Sequence, residues 1–354
     1  MNLKNIFDID PYKFSGRQKK IFISENIYKL TKHHYKKNVK YKKILNFLNF
    51  KLKKNNKIEN YPFLPVRLFK YYNLLSIKKE DIFKTLMSSG TSENLPSKIF
   101  LDRENSFNQT KVLSKIMKAV LGDKRLPMMI IDKDITKIDR NKFNAKVAAI
   151  KGFSVFGKNY CYFLDDDENI NPKIINSFLE KYGDKPFFIF GFTYSIYKYL
   201  IKDFKNKKYN YNFKNGILIH GGGWKKMENI KIDNKNFKKI LKDNINLQNI
   251  HNYYGLIEQT GSIFIECKKC KCFVTSVFSD ILIRDKYFNV VKNGKKGLIQ
   301  LFSLLPTSYP GHNILTEDIG EIVGDNGCQC GLLGKQFLVH GRAEQSEIRG
   351  CSDT

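Results

Sequence analysis

A short turn between two apolar runs collects side chains suited to holding a polyphosphate. Its polar positions are Ser88, Ser89, Gly90, Thr91, Ser92 and Lys98. The hydroxyl groups are hydrogen-bond donors, Gly90 lets the backbone approach a ligand closely, and the lysine adds a cation. The segment lacks the G-x-x-x-x-G-K-[ST] spacing of a Walker loop. On this stretch alone, a Ser/Thr-rich surface loop is the alternative interpretation.

Further along the chain, four segments carry groups that suit a nucleotide. Flat glycine backbone can admit a planar ring, an aromatic ring can stack on a base, and carboxylates can bind Mg²⁺ or ribose hydroxyls. The glycines are Gly221, Gly222 and Gly223, and the ring belongs to Tyr254, which Gly255 follows. The carboxylates are Glu258, a candidate for Mg²⁺, and Asp318, a candidate for ribose, and Arg342 adds a cation near the end of the sequence.

Five thiols in two short segments have the spacing of a metal site. They occur as Cys267-x-x-Cys270-x-Cys272 and Cys328-x-Cys330. We predict a structural Zn²⁺ held by Cys267, Cys272, Cys328 and Cys330, with Cys270 as the competing ligand, because four thiolates leave no open position for catalysis. Reduced thiols in turns are the alternative.

The composition is that of a globular protein with a strongly basic surface. Hydrophobic residues make up 42% of the 354 residues and aromatic residues 14%, while the formal net charge is +28. Such a charge suggests nucleic acid or an anionic surface as partner. Only eight of the 62 basic residues are arginine, however, and lysine is the poorer residue for bidentate recognition. We therefore predict a solvated lysine-rich surface and no nucleic-acid partner.

The sequence predicts a cytoplasmic chain. Residues 1–11 include two aspartates and lack the apolar region of a signal peptide. No run of 18 apolar residues occurs, so we predict no transmembrane segment.

Hydrophobic periodicity predicts an α/β fold with a mostly parallel sheet flanked by helices. Helices are expected over 17–54 and 105–121, and strands over 126–131, 186–190 and 215–220. Ligands in such sheets bind beyond the carboxyl ends of the strands, which is where the glycine-rich turns fall. From Gly255 onward, short strands and turns predict a smaller β-rich subdomain.

The predicted division of the chain has four parts. An N-terminal helical region (1–80) precedes an α/β nucleotide-binding core (81–250). A β-rich subdomain with the cysteines (251–340) is followed by a hinge remnant and tail (341–354).

The motifs occur in an order that resembles a known superfamily. Ser-Ser-Gly-Thr-Ser, Gly-Gly-Gly, Tyr-Gly-x-x-Glu, Thr-Glu-Asp-x-Gly and Gly-Arg are similar to the adenylate-forming enzymes, in the branch of phenylacetate-coenzyme A ligases. Five further segments resemble the acyl-protein synthetases of bacterial bioluminescence. These are Leu64-Pro-Val-Arg-Leu-Phe-Lys70, Asp81-Ile-Phe-Lys-Thr85, Glu258-Gln-Thr-Gly261, Leu304-Leu-Pro-Thr-Ser-Tyr-Pro-Gly311 and Arg349-Gly-Cys-Ser-Asp353.

The resemblance implies a reaction. A carboxylate attacks the α-phosphate of ATP, pyrophosphate leaves, and the acyl-adenylate passes its acyl group to a thiol. By resemblance, the loop at 88–98 holds the β- and γ-phosphates, and the three glycines and Tyr254 hold adenine. The resemblance also implies that Glu258 binds Mg²⁺, that Asp318 binds the ribose, and that Arg342 binds the ribose or a phosphate. The acyl acceptor is Cys351, and the partner is an acyl reductase or acyl carrier.

Two departures from the superfamily qualify this implication. Ile257 stands where the superfamily usually has threonine, which removes a hydroxyl near the α-phosphate. Relatives also continue after the Gly-Arg hinge with a mobile domain that bears a catalytic lysine, and the resemblance implies that this domain is absent here.

Two alternatives stay open from the sequence. The first is a ligase that passes its acyl group to coenzyme A, a carrier protein or an amine and leaves Cys351 idle. The second, from another class, is a binder of nucleic acid or an anionic surface. The substrate is expected to be a carboxylic acid, and the resemblance suggests a fatty acid.

Overall fold

The computed structural model describes residues 6–88, 95–137, 145–203, 209–222, 232–259, 261–325 and 327–343. The α-helices are α1 (Gly16–Lys37), α2 (Val39–Phe47), α3 (Leu68–Tyr71), α4 (Arg103–Leu121), α5 (Ala145–Ser154), α6 (Pro172–Tyr182), α7 (Thr193–Ile196) and α8 (Asn234–Ile245). The strands are β1 (Leu64–Pro65), β2 (Lys84–Met87), β3 (Lys98–Leu101), β4 (Leu126–Ile130), β5 (Gly157–Tyr162), β6 (Phe187–Phe192), β7 (Gly216–Gly221), β8 (Asn249–Tyr254), β9 (Phe264–Glu266), β10 (Phe273–Val274), β11 (Ser279–Arg284), β12 (Gly297–Ser303), β13 (Asn313–Gly324) and β14 (Gln336–Arg342).

The chain folds into two compact units. The first combines Met1–Ile116 with Gly255–Glu347, and the second combines Met117–Tyr254 with Ile348–Thr354. The four-part division expected from the sequence follows the chain in order, whereas each unit brings together segments that are distant in sequence. Distant segments join because strand pairing and core packing depend on which apolar faces can cover one another.

The second unit is the predicted α/β part. Its strands lie in the order β8-β7-β6-β4-β5, and all four pairings are parallel. Strand β6 is buried along its whole length, which explains its continuous apolar sequence. Helices α6 and α8 and the turn of π-helix at Tyr197–Lys202 supply apolar residues to the core on this sheet. The mixed α/β fold expected from the sequence is confirmed.

The first unit contains the β-rich part. Its strands run in the order β11-β12-β13-β14-β10-β9, with antiparallel pairing throughout this series. The short strand β1 pairs in parallel with the first half of β13, through Leu64 opposite Ile314 and Pro65 opposite Leu315. Strands β2 and β3 form a separate antiparallel hairpin.

The helix expected over 17–54 is interrupted at Asn38. This residue has extended backbone angles, and its side-chain oxygen accepts a hydrogen bond from Tyr41 N at 2.8 Å. Asparagine favours this capping position, because its side chain satisfies a backbone donor at the start of the next helix. The single predicted helix therefore becomes α1 and α2.

A pair of buried histidines joins α1 to the loop before β13. The rings of His34 and His312 stack with centroids 4.8 Å apart. Nε2 of His312 lies 3.0 Å from Thr31 Oγ1, and its buried Nδ1 has no hydrogen-bond partner within the described part of the chain. Desolvation lowers the pKa of His312 to about 3. These rings are packing elements held in the neutral form.

Candidate functional site

The predicted phosphate-binding turn is carried on the β2-β3 hairpin. Met87 pairs with Lys98, and two hydrogen bonds close the base of the turn. Ser88 N donates to Ser97 O at 3.0 Å, and Ser97 N donates to Ser88 Oγ at 2.8 Å. The Ser88 hydroxyl thus helps to fix the turn, while Lys98 is exposed beside it.

Asp318 and Arg342 face each other on neighbouring strands. They are directly opposite in the β13-β14 register, and Asp318 Oδ1 lies 3.7 Å from Arg342 Nε. Gly341, just before the arginine, has φ +127°, a conformation that favours glycine. The two predicted ribose-binding residues therefore form one polar pair.

An irregularity in β13 positions Asp318. Leu298 pairs with Ile319 and Gln300 with Leu315, so three residues of β13 stand opposite the single residue Ile299. The Thr316 hydroxyl stabilises this bulge, because Oγ1 donates to Ile299 O at 2.8 Å and accepts from Asp318 N at 3.1 Å. Bulges of this kind redirect side chains next to functional sites.

Glu317, the residue before Asp318, also holds this part of β13 in place. Its carboxylate forms an ion pair with Nε of Arg67, which lies between β1 and α3. Its carbonyl oxygen accepts a hydrogen bond from Ala343 N at 2.9 Å. Both neighbours of Asp318 in the Thr-Glu-Asp motif are therefore held by specific contacts.

Glu258 lies on a buried 3-10 turn, Ile257–Gln259, and is 3% exposed. The next residue clamps the turn, since Gln259 Nε2 donates to Leu301 O at 3.2 Å and to Gly311 O at 2.9 Å. A side chain at Gly311 would lie 2.9 Å from Glu258 O. This close approach explains the glycine and fixes the position of the predicted Mg²⁺ ligand.

The segment 304–311 is fixed by α1 and α4. Asn105 Oδ1 accepts hydrogen bonds from Thr307 N at 3.1 Å and Ser308 N at 3.2 Å. His34 Nε2 lies 3.0 Å from Pro306 O. Segment 304–311, one of those that carry the resemblance to acyl-protein synthetases, is thus held against α1 and α4.

In the second unit, glycines at the carboxyl end of β7 lie against aromatic rings. A Cβ on Gly221 would lie 2.4 Å from the Tyr253 ring. A Cβ on Gly222, which has φ +80°, would lie 2.6 Å from the Phe192 ring. Successive side chains on a strand alternate between faces, so Tyr253 and the predicted adenine-binding Tyr254 lie on opposite faces of β8.

A threonine and a histidine stabilise the backbone at the carboxyl end of β7. The Thr193 hydroxyl donates to Gly221 O at 3.1 Å and lies 2.9 Å from His220 Nδ1. Because that hydroxyl hydrogen is used by the carbonyl, His220 donates from Nδ1 and carries its lone pair on Nε2. Nε2 is buried and has no hydrogen-bond partner among the residues that the structure describes, and desolvation lowers the pKa of His220 to about 3.

Thiols from the two cysteine segments meet in the first unit. The Sγ atoms of Cys267, Cys270 and Cys328 all lie within 4.8 Å of one another. Cys330 packs beside this cluster, and its backbone N donates to Cys328 Sγ at 3.5 Å. Cys272 instead directs its Sγ to Cys270 O at 3.2 Å. The geometry thus favours Cys270 as ligand over the predicted Cys272.

The thiol geometry fits a tetrahedral zinc site. Cys267 Sγ and Cys328 Sγ are 3.5 Å apart, too far for a disulfide bond. A Zn–S distance of about 2.3 Å places the sulfurs of a ZnS₄ tetrahedron about 3.8 Å apart, close to this value. Backbone amides also point at the sulfurs, from Lys269 to Cys267 at 3.3 Å and from Cys330 to Cys328 at 3.5 Å. Burial opposes ionisation of Cys328, but hydrogen bonds from Cys330, Cys270 and Cys267 outweigh it and lower the pKa of that thiol.

Comparison with known proteins decides the family. A family model described as "Acyl-protein synthetase, LuxE" matches residues 2–354. The chain belongs to the LuxE acyl-protein synthetase family. The resemblance predicted from the ordered motifs is confirmed, and so are an enzymatic function and ATP-dependent acyl-AMP formation with acyl transfer.

Two curated relatives of this LuxE-family chain are long-chain-fatty-acid–luciferin-component ligases. The protein from Aliivibrio fischeri is 24% identical over 327 residues, which cover 90% of this chain and 83% of the relative. The protein from Vibrio harveyi is 22% identical over 362 residues, which cover 98% of this chain and 90% of the relative.

The fold is shared with a solved adenylate-forming enzyme. A 2-hydroxyisobutyryl-CoA ligase in the postadenylation state, in complex with R3-HIB-AMP, superposes with a TM-score of 0.70 at 12% identity. The match covers 94% of this chain and 69% of that structure. In the thioesterification state the same ligase gives a TM-score of 0.69.

Several predicted residues of this LuxE-family chain lie outside the described ranges. They are Ser89, Gly90, Thr91, Ser92, Gly223 and the proposed acceptor Cys351. The rest divide between the units, with Gly221, Gly222 and Tyr254 in the second and Ser88, Lys98, Gly255, Glu258, Asp318, Arg342 and the five clustered cysteines in the first. Within the described ranges, no helix is both long enough and apolar enough to cross a bilayer.

Sequence reasoning missed residues that hold the candidate site residues in position. Arg67 and Gln259 were quoted only as parts of motifs, yet they fix Glu317 and the Glu258 turn. His220 was identified only as the last residue of the strand expected over 215–220, and Thr193 was not singled out. The available signals were a polar residue directly after a buried strand for Thr193 and a polar residue at the end of one for His220.

Proposed function

We propose that this chain activates a long-chain fatty acid with ATP and transfers the acyl group to Cys351. The family fixes the class of reaction, and the choice of acid follows the names of the two curated relatives. The observation that carries the assignment of residues is the pair Asp318–Arg342, opposed in register beside a bulge that Thr316 stabilises.

Polar residues of the first unit are those that we propose for binding the phosphates and the ribose. The hairpin turn at 88–98 binds the β- and γ-phosphates, with Lys98 as a cation at its base. Asp318 accepts hydrogen bonds from the ribose hydroxyls, and Arg342 balances that carboxylate and faces the phosphate. Preorganised charges of this kind stabilise the charge that develops when pyrophosphate leaves.

For adenine we propose the carboxyl ends of β7 and β8. Gly221 and Gly222 let the backbone at the end of β7 lie flat against the rings of Tyr253 and Phe192, and Tyr254 ends the neighbouring strand. Thr193 and His220 hold the backbone of this edge in place.

Two metal ions have donor sets in this chain. Glu258 is a buried carboxylate oxygen donor of the kind that Mg²⁺ uses, and Mg²⁺ would neutralise phosphate charge when bound. Cys267, Cys270 and Cys328, with Cys330 packed beside them as the fourth thiol, would hold a structural Zn²⁺ that ties the β9-β10 hairpin to the loop before β14. An acyl reductase as acceptor and a cytoplasmic location stay predictions.

The decisive experiment is acid-dependent ATP–pyrophosphate exchange across fatty acids and short acids. We expect exchange with long-chain acids and loss of about 100-fold in the Asp318→Ala variant, since a charged hydrogen bond to substrate contributes about 1.5–3 kcal/mol. Exchange at the wild-type rate in that variant would contradict the assignment.

The acyl acceptor needs a second measurement. Radiolabelled acyl group should stay on the denatured protein as a thioester and disappear in Cys351→Ala. If the label never becomes protein-bound but appears on added coenzyme A, Cys351 is idle and the chain is a coenzyme A ligase.

A further inference from the structure

A large apolar groove opens on the first unit, and its lining includes none of the assigned residues that the structure describes. Its volume is about 940 Å³. α2, the segment before β1, α3 and the loop after β11 form its walls. The apolar lining includes Ile44, Phe47, Phe50, Phe63, Leu68 and Phe288.

The lining exposes aromatic rings that folding alone would bury. Phe47 at the end of α2 is 85% exposed and Phe288 is 49% exposed. The Phe288 ring nevertheless contacts Phe63 with centroids 5.6 Å apart, so this wall is ordered. Contiguous exposed apolar surface on a soluble unit marks a binding site for an apolar group.

The charges around the groove are mostly positive. Lys40 and Lys43 of α2 belong to its lining, and Nζ of Lys40 lies 5.1 Å from the centre of the Tyr72 ring. The carboxylate of Glu59, the acidic residue of the lining, is paired with Lys20 at 3.1 Å. An anionic headgroup therefore suits the rim better than a cationic or neutral one.

A buried arginine adds a further positive charge and ties the walls together. Arg284 donates to Gln300 Oε1 at 2.5 Å, Phe288 O at 2.5 Å and Glu59 O at 2.7 Å. These three acceptors are all uncharged oxygens. A guanidinium remains ionised even when buried, and the nearby carboxylates of Glu59 and Asp285 stabilise this charge. The positive charge that is left for a ligand headgroup is therefore that of Lys40 and Lys43.

We propose that this groove binds the alkyl chain of a long-chain fatty acid, with the carboxylate held at Lys40 and Lys43. The volume lies in the range of about 300–1,000 Å³ that is typical of ligand pockets. Long apolar walls fit an unbranched chain, and the lysine rim matches a single negative headgroup. The choice of a fatty acid rests on the proposed function, whereas the shape and charge of the groove do not.

Binding to the full chain tests the proposal directly by calorimetry, at ligand concentrations below micelle formation. Tetradecanoate should bind on the order of 100-fold more tightly than decanoate, because each buried methylene contributes about fourfold. Tetradecyltrimethylammonium, with the same chain and a cationic headgroup, should bind at least about tenfold more weakly than tetradecanoate. Equal binding of the two headgroups would overturn the role of the rim.

Surface variants locate the binding. Phe47→Asp should weaken tetradecanoate binding at least about tenfold, and Phe288→Ser gives a second, uncharged change in the same wall. The matched control is Phe107→Asp, because Phe107 is 66% exposed and lies outside the lining. The double variant Lys40→Glu, Lys43→Glu should also weaken tetradecanoate binding at least about tenfold. Its control is Lys42→Glu on the same helix. Unchanged affinity in both groove variants would overturn the proposal.

Exchange assays separate this proposal from the proposed function. If wild-type protein shows no acid-dependent exchange but binds tetradecanoate in a Phe47-dependent manner, the groove stands and the reaction assignment fails. If exchange is normal and binding ignores Phe47 and Phe288, the groove assignment fails alone.

Discussion

The bulge at Thr316 gives a sharp test of how Asp318 is positioned. Replacement by valine keeps the shape of the side chain and removes the hydroxyl. Two hydrogen bonds are lost, from Thr316 Oγ1 to Ile299 O at 2.8 Å and from Asp318 N to Thr316 Oγ1 at 3.1 Å. The site is buried, with Thr316 at 3% exposure, so the groups that are left have little access to water.

The expected magnitudes follow from these two bonds. Each contributes about 1 kcal/mol net, so Thr316→Val should lower the free energy of unfolding by about 2 kcal/mol. The Asp318 carboxylate remains but is less well placed. We therefore expect about a tenfold drop in kcat/KM for ATP, between wild type and the roughly 100-fold loss expected for Asp318→Ala.

The assay is ATP–pyrophosphate exchange at varied ATP, together with urea unfolding. Thr316→Ser restores the hydroxyl and should recover most of the activity. Thr110→Val is the matched control, since its hydroxyl bonds Ser106 O at 3.2 Å on an exposed helix face. The reasoning is refuted if Thr316→Val is destabilised as expected and yet keeps the wild-type kcat/KM for ATP.

Three further outcomes are expected. Purified protein should carry about one zinc ion per chain by metal analysis, and Cys270→Ser should lose it while Cys272→Ser keeps it; the reverse would restore the ligand set expected from the sequence. Lowering the pH from 7.5 to 5 should reduce the free energy of unfolding by about 2 kcal/mol because of His312. In the unfolded chain this imidazole binds a proton below pH 6.5, whereas in the folded protein, where its pKa is near 3, it stays neutral. This stability is present above pH 6.5 and lost below it, and urea unfolding of His312→Phe should show a smaller pH dependence by that amount. Gly222→Ala should destabilise the second unit more than Gly122→Ala in thermal unfolding, because both have φ near +80° but only the first meets a ring, that of Phe192; equal losses would show that the ring yields.

The sequence predicted those features that depend on local pattern. The apolar run at 186–190 predicted a buried strand, which the structure has at Phe187–Phe192, and polar and glycine residues marked its end and that of β7. The ordered motifs also gave the family. Such signals lie within a few residues of one another, so they survive without knowledge of the fold.

The features that the sequence did not predict depend on pairing across long separations. The residues around Thr316 do not predict that three residues of β13 lie opposite Ile299, because a bulge depends on how two strands pair. The choice between Cys270 and Cys272 is set by the turn at Lys271, whose positive φ of +59° rotates the chain between them. The groove joins α2 to the loop after β11, and its walls are more than 200 residues apart in sequence.

Strand β13 links the two proposals made here. Its first half pairs with β1, which lines the groove through Leu64 and Pro65, and its second half carries Asp318. Four residues of extended chain separate Ile314 from Asp318, a distance of at most about 13 Å. Val66 N also donates to Leu315 O at 2.9 Å, and Arg67 pairs with Glu317, so the segment after β1 follows β13 toward the site. A ligand that orders the groove wall therefore acts on the same strand that positions the proposed ribose-binding carboxylate. Tetradecanoate in the groove should slow hydrogen exchange at the amides of β13, and decanoate should slow it less.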